Sequence, residues 1–322
     1  GSLTDVPGIK VGHAHDEEAL TGCTVILCEE GAVGGVDVRG GAPGTRDLEP
    51  LRSPRLVEKV HAIVLTGGSA FGLASCEGVM SWLEGRGVGF EVGVTKVPIV
   101  CGAVIFDLWL GSPKVRPDAK MGYEACESAS SEEQGRGNIG AGMGATVGKL
   151  HGPKSAMKGG LGMASVKLRG GVTVGALAVV NAFGDVLDPA TGRILAGSRR
   201  PGTKELLGTA KALLEGERPP GFRAATNTTL VVVATDAMLT KEGAIKLAQL
   251  ANAGMARVIS PAHTMFDGDV SFCLSTGRVE ADIVALGAAV ERVVCEAIVD
   301  AVKSARGVPG VPAWRDLLGE GK

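Results

Sequence analysis

Four short stretches of this 322-residue chain hold residue types that could do chemistry. The first is Asn227-Thr228-Thr229, within FRAATNTTLVVVATDAML (222–239), where an amide and two hydroxyls stand at the mouth of an apolar run. A Thr hydroxyl becomes a nucleophile once a base takes its proton; the plainer alternative is a polar turn at an ordinary strand start. The second is Asp267-Gly268-Asp269, two carboxylates that would hold negative charge beside whatever faces them. A calcium loop needs a longer ligand series than follows here, so the alternative is a polar turn. The third is HAHD (13–16), where His13 and His15 would share one face of a strand. No Cys or third His lies at metal-site spacing, and a surface loop is expected there. The fourth is GAGMGATVGKLHG (140–152). Ala145 occupies the last Gly position of GxGxxG, and Leu150 follows Lys149 where a phosphate-binding loop needs Ser or Thr. A close-packed Gly-rich turn or strand is expected instead. GGSAFG (67–72) fails as a nucleophile elbow because Phe71 stands where the second Gly belongs, and HExxH does not occur.

Elements must position these groups. LVVVA (230–234) is a continuous, largely β-branched run of the kind buried on both faces of a sheet. Further strands are expected at 23–28, 60–65, 88–94, 145–149, 162–168, 172–180 and 270–275. Helices are expected at 69–85, 118–131, 203–215, 240–253 and 279–304. In the last, Val279, Ile283, Leu286, Val290, Val293 and Ile298 fall near helical spacing. Thr240 is a natural N-cap for the helix after the LVVVA strand. Strands and helices intermix, and no linker splits the first two hundred residues, so the expectation is one α/β domain over 1–322 with strands in central layers and helices covering them. Residues 196–227, with a Pro219-Pro220-Gly221 connector, look like a surface excursion carrying few core contacts, where the chain could be interrupted while both halves stay folded.

Composition narrows the function classes. With 33 basic against 35 acidic residues and no basic block interleaved with aromatics, there is no electrostatic case for nucleic acid. The seven cysteines form no CxxC, are odd in number, and several sit in apolar runs; they read as reduced core residues of a cytoplasmic protein. GSLTDVPGIKVGH lacks the basic and apolar regions of a signal peptide. No window approaches the length of an uncharged membrane span, so no membrane partner is expected.

Six ordered stretches together resemble one family: VLTGGSAFGLASCEGVMSWLE (64–84), NIGAGMGATVGK (138–149), MKGGLGMASV (157–166), VVNAFGDVLD (179–188), NTTLVVVATDA (227–237) and HTMFDGDVSFCLSTG (263–277). The chain is similar, over nearly its whole length, to the L-aminopeptidase/D-esterase (DmpA-like) family, which includes β-peptidyl aminopeptidases and the nylon-oligomer hydrolase. The resemblance implies a four-layer αββα sandwich of the Ntn-hydrolase-like kind shared with ornithine acetyltransferases. It implies self-cleavage before Thr228, giving 1–227 and 228–322, with Thr228 as both nucleophile and new N-terminus. The chemistry is coherent on its own terms: an α-amine has a pKa near ~8, closer to neutrality than Lys, and can serve as the base without any His.

By motif, the resemblance implies that Asn181 holds the oxyanion, that Lys158 lines the site, and that Asp267 and Asp269 orient Thr228 or pair with a substrate ammonium group. Phe106 stands where relatives often carry Tyr, and Met143 and Met163 where they often carry Thr. The activity implied is an aminopeptidase or amidohydrolase acting on short peptides, amides or esters with a free amino end. No metal or organic cofactor is required, and a homo-oligomer, by resemblance a tetramer, is expected. Two alternatives stay open: an ornithine acetyltransferase-like acyl transferase, whose usual cleavage pair is Ala-Thr where this chain has Asn-Thr, and an uncleaved, non-catalytic relative.

Overall fold

The computed structural model describes residues 1–219 and 227–319; Pro220-Gly221 of the connector and Phe222–Thr226 of the stretch before Asn227 lie outside the described residues. Nine strands form one large sheet: β1 (Lys10–Asp16), β2 (Thr21–Val38), β3 (Thr45–Arg46), β4 (Lys59–Thr66), β5 (Val100–Val104), β6 (Gly160–Lys167), β7 (Thr173–Asn181), β8 (Thr228–Ala237) and β9 (Val270–Val279). Their order is β6-β7-β8-β9-β2-β4-β5-β3, with β1 also paired to β2. Neighbours are antiparallel except β8/β9 and β4/β5, which are parallel.

Side-chain alternation shows how this one sheet makes two layers. Leu230 and Val232 of β8, Leu177 and Val179 of β7, and Phe272 and Leu274 of β9 share a core with Ile26 of β2, Ile63 and Leu65 of β4, and Cys101 of β5. The intervening residues Val231, Val233, Ala176, Ala178 and Cys273 face a second core against the helices α4 (Lys241–Val258) and α5 (Ile283–Ser304). Val25, Leu27, Ala62 and Val64 face a third core against α1 (Ser75–Gly85) and α2 (Ala119–Glu127). Period-two alternation thus sends each strand's side chains to two different cores. The layers are helix, sheet, sheet, helix. The eighteen-residue β2 belongs to both central layers, because its first half pairs with β4 and its last residues pair with β9.

Caps fix the helix starts. The Thr240 side chain accepts the Gly243 N–H at 3.1 Å to begin α4, as its position after the strand predicts. Asp282 accepts the Ala285 N–H at 2.8 Å and starts α5 four residues later than its hydrophobic spacing suggests. Close packing of α5 on β6 needs Gly162, since a Cβ there would lie 2.2 Å from the Ala297 carbonyl and the Ala301 nitrogen.

Two expectations are corrected. HAHD is no surface loop: it lies in β1, and His13 is buried with Nδ1 2.9 Å from the Thr24 hydroxyl. The excursion from 196 is tied down over its first part, 198–209. The Asp185 carboxylate accepts N–H groups from Ser198 and from Thr209, the first residue of α3 (Thr209–Leu214). Arg199 is buried and donates to the carbonyls of Ala156 and Thr203. A buried side chain that leaves the surface loop to satisfy another segment's carbonyls has no period in sequence, so the exposed composition of 200–206 masked it.

Candidate active site

Thr228 and Asn181 meet because β7 and β8 are antiparallel in a register that sets them directly opposite. Directly opposed residues on neighbouring strands point to the same face. Asn181 continues the Leu177, Val179 row and Thr228 begins the Leu230, Val232 row, so both side chains stand at the end of the layer between the two central layers. Thr228 is 4% exposed and Asn181 fully buried.

The amide of Asn181 is oriented by its neighbours. Its Oδ1 accepts the Thr146 N–H at 3.0 Å and the Lys149 ammonium at 3.0 Å. Its Nδ2 donates to the Phe106 carbonyl at 3.3 Å. An amide oxygen with two donors on it cannot exchange places with the nitrogen, so the NH₂ end is held as the donor. Lys149, absent from the expected site residues, is therefore its anchor. Besides Oδ1, its ammonium reaches the Asn181 carbonyl at 3.1 Å and the Thr146 carbonyl at 2.8 Å. Burial holds its pKa well below the ordinary lysine range, with Asp267 pulling the other way. The signal in sequence was a Lys inside the Gly-rich segment, which the failed phosphate-loop pattern removed from view.

Lys158 is buried among backbone carbonyls. Its ammonium donates to the carbonyls of Gly142, Ala145 and Gly159 at 2.9–3.0 Å, and among the described residues it makes no hydrogen bond to Thr228, Asn181, Asp267 or Asp269. Burial pushes its pKa down to about 7, opposed by Asp107. Asp107 itself, raised by burial, accepts the Thr21 hydroxyl and the Gly68 N–H, each at 2.7 Å.

The acidic pair clamps a loop to both strands. Asp267 accepts the Phe183 N–H at 3.1 Å, just past Asn181, and the Thr264 N–H at 3.1 Å. Asp269 accepts the Thr229 N–H at 2.7 Å and the His263 backbone N–H at 3.0 Å, and its Oδ2 lies 2.9 Å from His263 Nδ1. Burial and the neighbouring Asp269 raise the pKa of Asp267 above the usual carboxylate range. Neither carboxylate makes a hydrogen bond to the Thr228 hydroxyl.

The residue between them does approach it. The Gly268 N–H donates to the Asn227 carbonyl at 2.9 Å. The Thr228 hydroxyl donates to that same oxygen. A side chain at Gly268 would bring a Cβ within 2.6 Å of the Thr228 Oγ1 and 2.8 Å of the Ala42 carbonyl. Alternation explains the Asp-Gly-Asp order, since it sends the two carboxylates to one side and the empty glycine position toward the hydroxyl. Among the described residues, no cluster of three or more His, Cys, Asp or Glu could hold a metal ion.

The arrangement sets a hydroxyl against the carbonyl of the peptide bond before it, an N–H on that carbonyl oxygen, and an oriented amide opposite. These are the parts of an acyl transfer. A family model described as Peptidase family S58 matches residues 1–314. An uncharacterized aminopeptidase of Mycobacterium tuberculosis (strain ATCC 25618 / H37Rv) is 43% identical over 350 residues, covering 98% of both chains. A 6-aminohexanoate-oligomer endohydrolase of Kocuria sp. (strain KY2) is 33% identical over 314 residues, covering 93% of this chain and 85% of its own. The solved L-aminopeptidase D-Ala-esterase/amidase from Ochrobactrum anthropi, described as a variant of the Ntn hydrolase fold, superposes with a TM-score of 0.73 at 19% identity. That match spans 97% of this chain and 89% of the other, a likeness of fold.

Proposed function

The chain belongs to peptidase family S58 and is a hydrolase of peptide or amide bonds, and from that premise we propose that it activates itself by cutting between Asn227 and Thr228. The observation that carries this reading is the shared oxygen: the Thr228 hydroxyl and the Gly268 N–H both donate to the Asn227 carbonyl. The hydroxyl oxygen adds to the Asn227 carbonyl carbon, with the Gly268 N–H on the oxyanion. The C–N bond breaks, the nitrogen keeps the proton lost by the hydroxyl, and an ester joins Asn227 to Thr228. Water hydrolyses that ester, leaving a carboxylate on Asn227 and a free α-amine on Thr228.

The same atoms then turn over substrate. The α-amine, with a pKa near ~8, takes the hydroxyl proton as Thr228 attacks a substrate carbonyl. Asn181 Nδ2 holds the oxyanion, and the protonated amine passes its proton to the leaving amine. Water releases the acyl group and restores the hydroxyl. Substrates are short peptides, amides or esters with a free amino end, a class supported by the aminopeptidase relatives. Assembly of cleaved protomers into a homotetramer fits the exposed apolar Phe90, Val92, Val94 and Val97, which lie in and around one short hairpin; light scattering measures it. Seven buried, unpaired cysteines support a reducing, cytoplasmic setting.

The test is a denaturing gel with intact mass and N-terminal sequencing. Prorating 32.7 kDa by length gives fragments of roughly 23 and 10 kDa, the smaller beginning Thr-Thr-Leu-Val-Val. Thr228→Ala abolishes both cleavage and hydrolysis. Hydrolysis by a chain that stays in one piece, or by Thr228→Ala, ends this reading.

A further inference from the structure

His263 lies outside the residues that reading uses, yet both of its ring nitrogens are fixed. Nε2 lies 3.2 Å from the Asn252 carbonyl, which can only accept, so Nε2 carries a proton. Nδ1 lies 2.9 Å from Asp269 Oδ2. A neutral ring protonated at Nε2 would turn its Nδ1 lone pair toward that carboxylate oxygen, which already accepts the His263 N–H at 3.0 Å. The contacts are satisfied when Nδ1 carries a proton too. Asp269 then receives three N–H donors, two from His263 and one from Thr229. The backbone of His263 stands at φ 56°, a left-handed conformation uncommon for a bulky residue and found where surrounding contacts enforce it.

We propose that His263 is a positioning residue for the Thr228 reaction: as an imidazolium held between Asn252 and Asp269, it keeps the Asp269 carboxylate on the Thr229 N–H and so fixes the strand start that carries the nucleophile. The proposal rests on Thr228 being that nucleophile. The charged groups around the ring are Asp267 and Asp269 on its own loop. Asp37, paired with Arg39 at the end of β2, is reached through the Asn252 side chain of α4. Burial alone would lower the pKa of His263, but the hydrogen bond and charge of Asp269 outweigh it, and the net shift is upward.

The sign follows. A raised folded pKa means that this contribution is fully present below the unfolded value of about 6.5 and is lost as pH rises through the folded value. In His263→Gln the Asp267 carboxylate, already raised by burial and by Asp269, loses a nearby cation and takes up its proton at higher pH. The acid limb of kcat/KM therefore moves upward by about one pH unit, roughly a tenfold loss at fixed pH on that limb. Activity approaches wild type at the alkaline end, where the native ring is itself neutral.

Two measurements test this on the full chain. Nitrogen-15 spectra of histidine-labelled wild type, with His263→Gln identifying the signal among five histidines, show both nitrogens of His263 protonated at pH 7. A neutral tautomer there overturns the proposal whatever the activity of the variant. The pH profile of kcat/KM in His263→Gln shows the shifted acid limb. An unshifted limb, whether at full rate or with a uniform loss, also overturns it and marks His263 as merely structural. A wild-type chain that neither cleaves itself nor hydrolyses substrate fails at the earlier step, the assignment of Thr228, whatever the histidine spectrum shows.

Discussion

Lys149 and Lys158 stand nine positions apart in one Gly-rich region, both fully buried and both with lowered pKa, yet they do different work. Lys158 spends its three N–H bonds on three backbone carbonyls of the segment that wraps it. Lys149 spends its bonds on Asn181 and on Thr146, which also holds Asn181. A three-carbonyl nest saturates an ammonium and pins backbone, whereas a contact to a side-chain amide sets which way that amide faces. Residue type, burial and pKa direction are alike in the two; the acceptors differ, and the acceptors decide the role.

The contrast can be broken by mutation. Asn181→Ala, which removes the donor itself, is expected to lower kcat by about 10²–10³-fold while the chain still folds. Lys149→Met should lower kcat by about 10–100-fold with KM little changed, because the amide is loosened, not lost. If Lys158→Met reduced kcat as much, the distinction between the two lysines would collapse.

For Lys158→Met the expected loss is in stability, about 2–4 kcal/mol by denaturant titration, since buried carbonyls are left unpaired. Its kcat per folded molecule should stay within about twofold of wild type. The smallest effect sharpens the same point. Lys158 has a folded pKa of about 7, below the unfolded lysine value of about 10.4, so between those values the unfolded chain holds more protons and stability rises with pH. That rise should be shallower in Lys158→Met; an identical pH slope would show that Lys158 does not titrate in this window.

Much of the frame was legible in the residues. LVVVA gave β8, its Thr240 cap gave the start of α4, and the hydrophobic spacing of 279–304 gave α5. Shorter elements escaped: β5, VCGAV, has no polar alternation to mark it, and 88–94 contracts to the two-residue Phe90–Glu91, with Val92, Gly93 and Val94 exposed. In the site, the roles proposed for Thr228 and Asn181 came by resemblance to a family's motifs. Lys149 and His263 were not found, because what identifies each is a hydrogen-bond partner elsewhere along the chain: Asn181 for one, Asn252 for the other.

By itself the sequence determined the local terms. Apolar periods set the strands and long helices, and small polar residues set the caps. The tertiary structure decided register. Asn181 faces Thr228 because β7 and β8 pair in one register, and a slip of one residue would send the amide and the hydroxyl to opposite faces. It also decided which buried cation meets the Asn181 amide, since a lysine carries no local mark of the acceptor it will meet after folding.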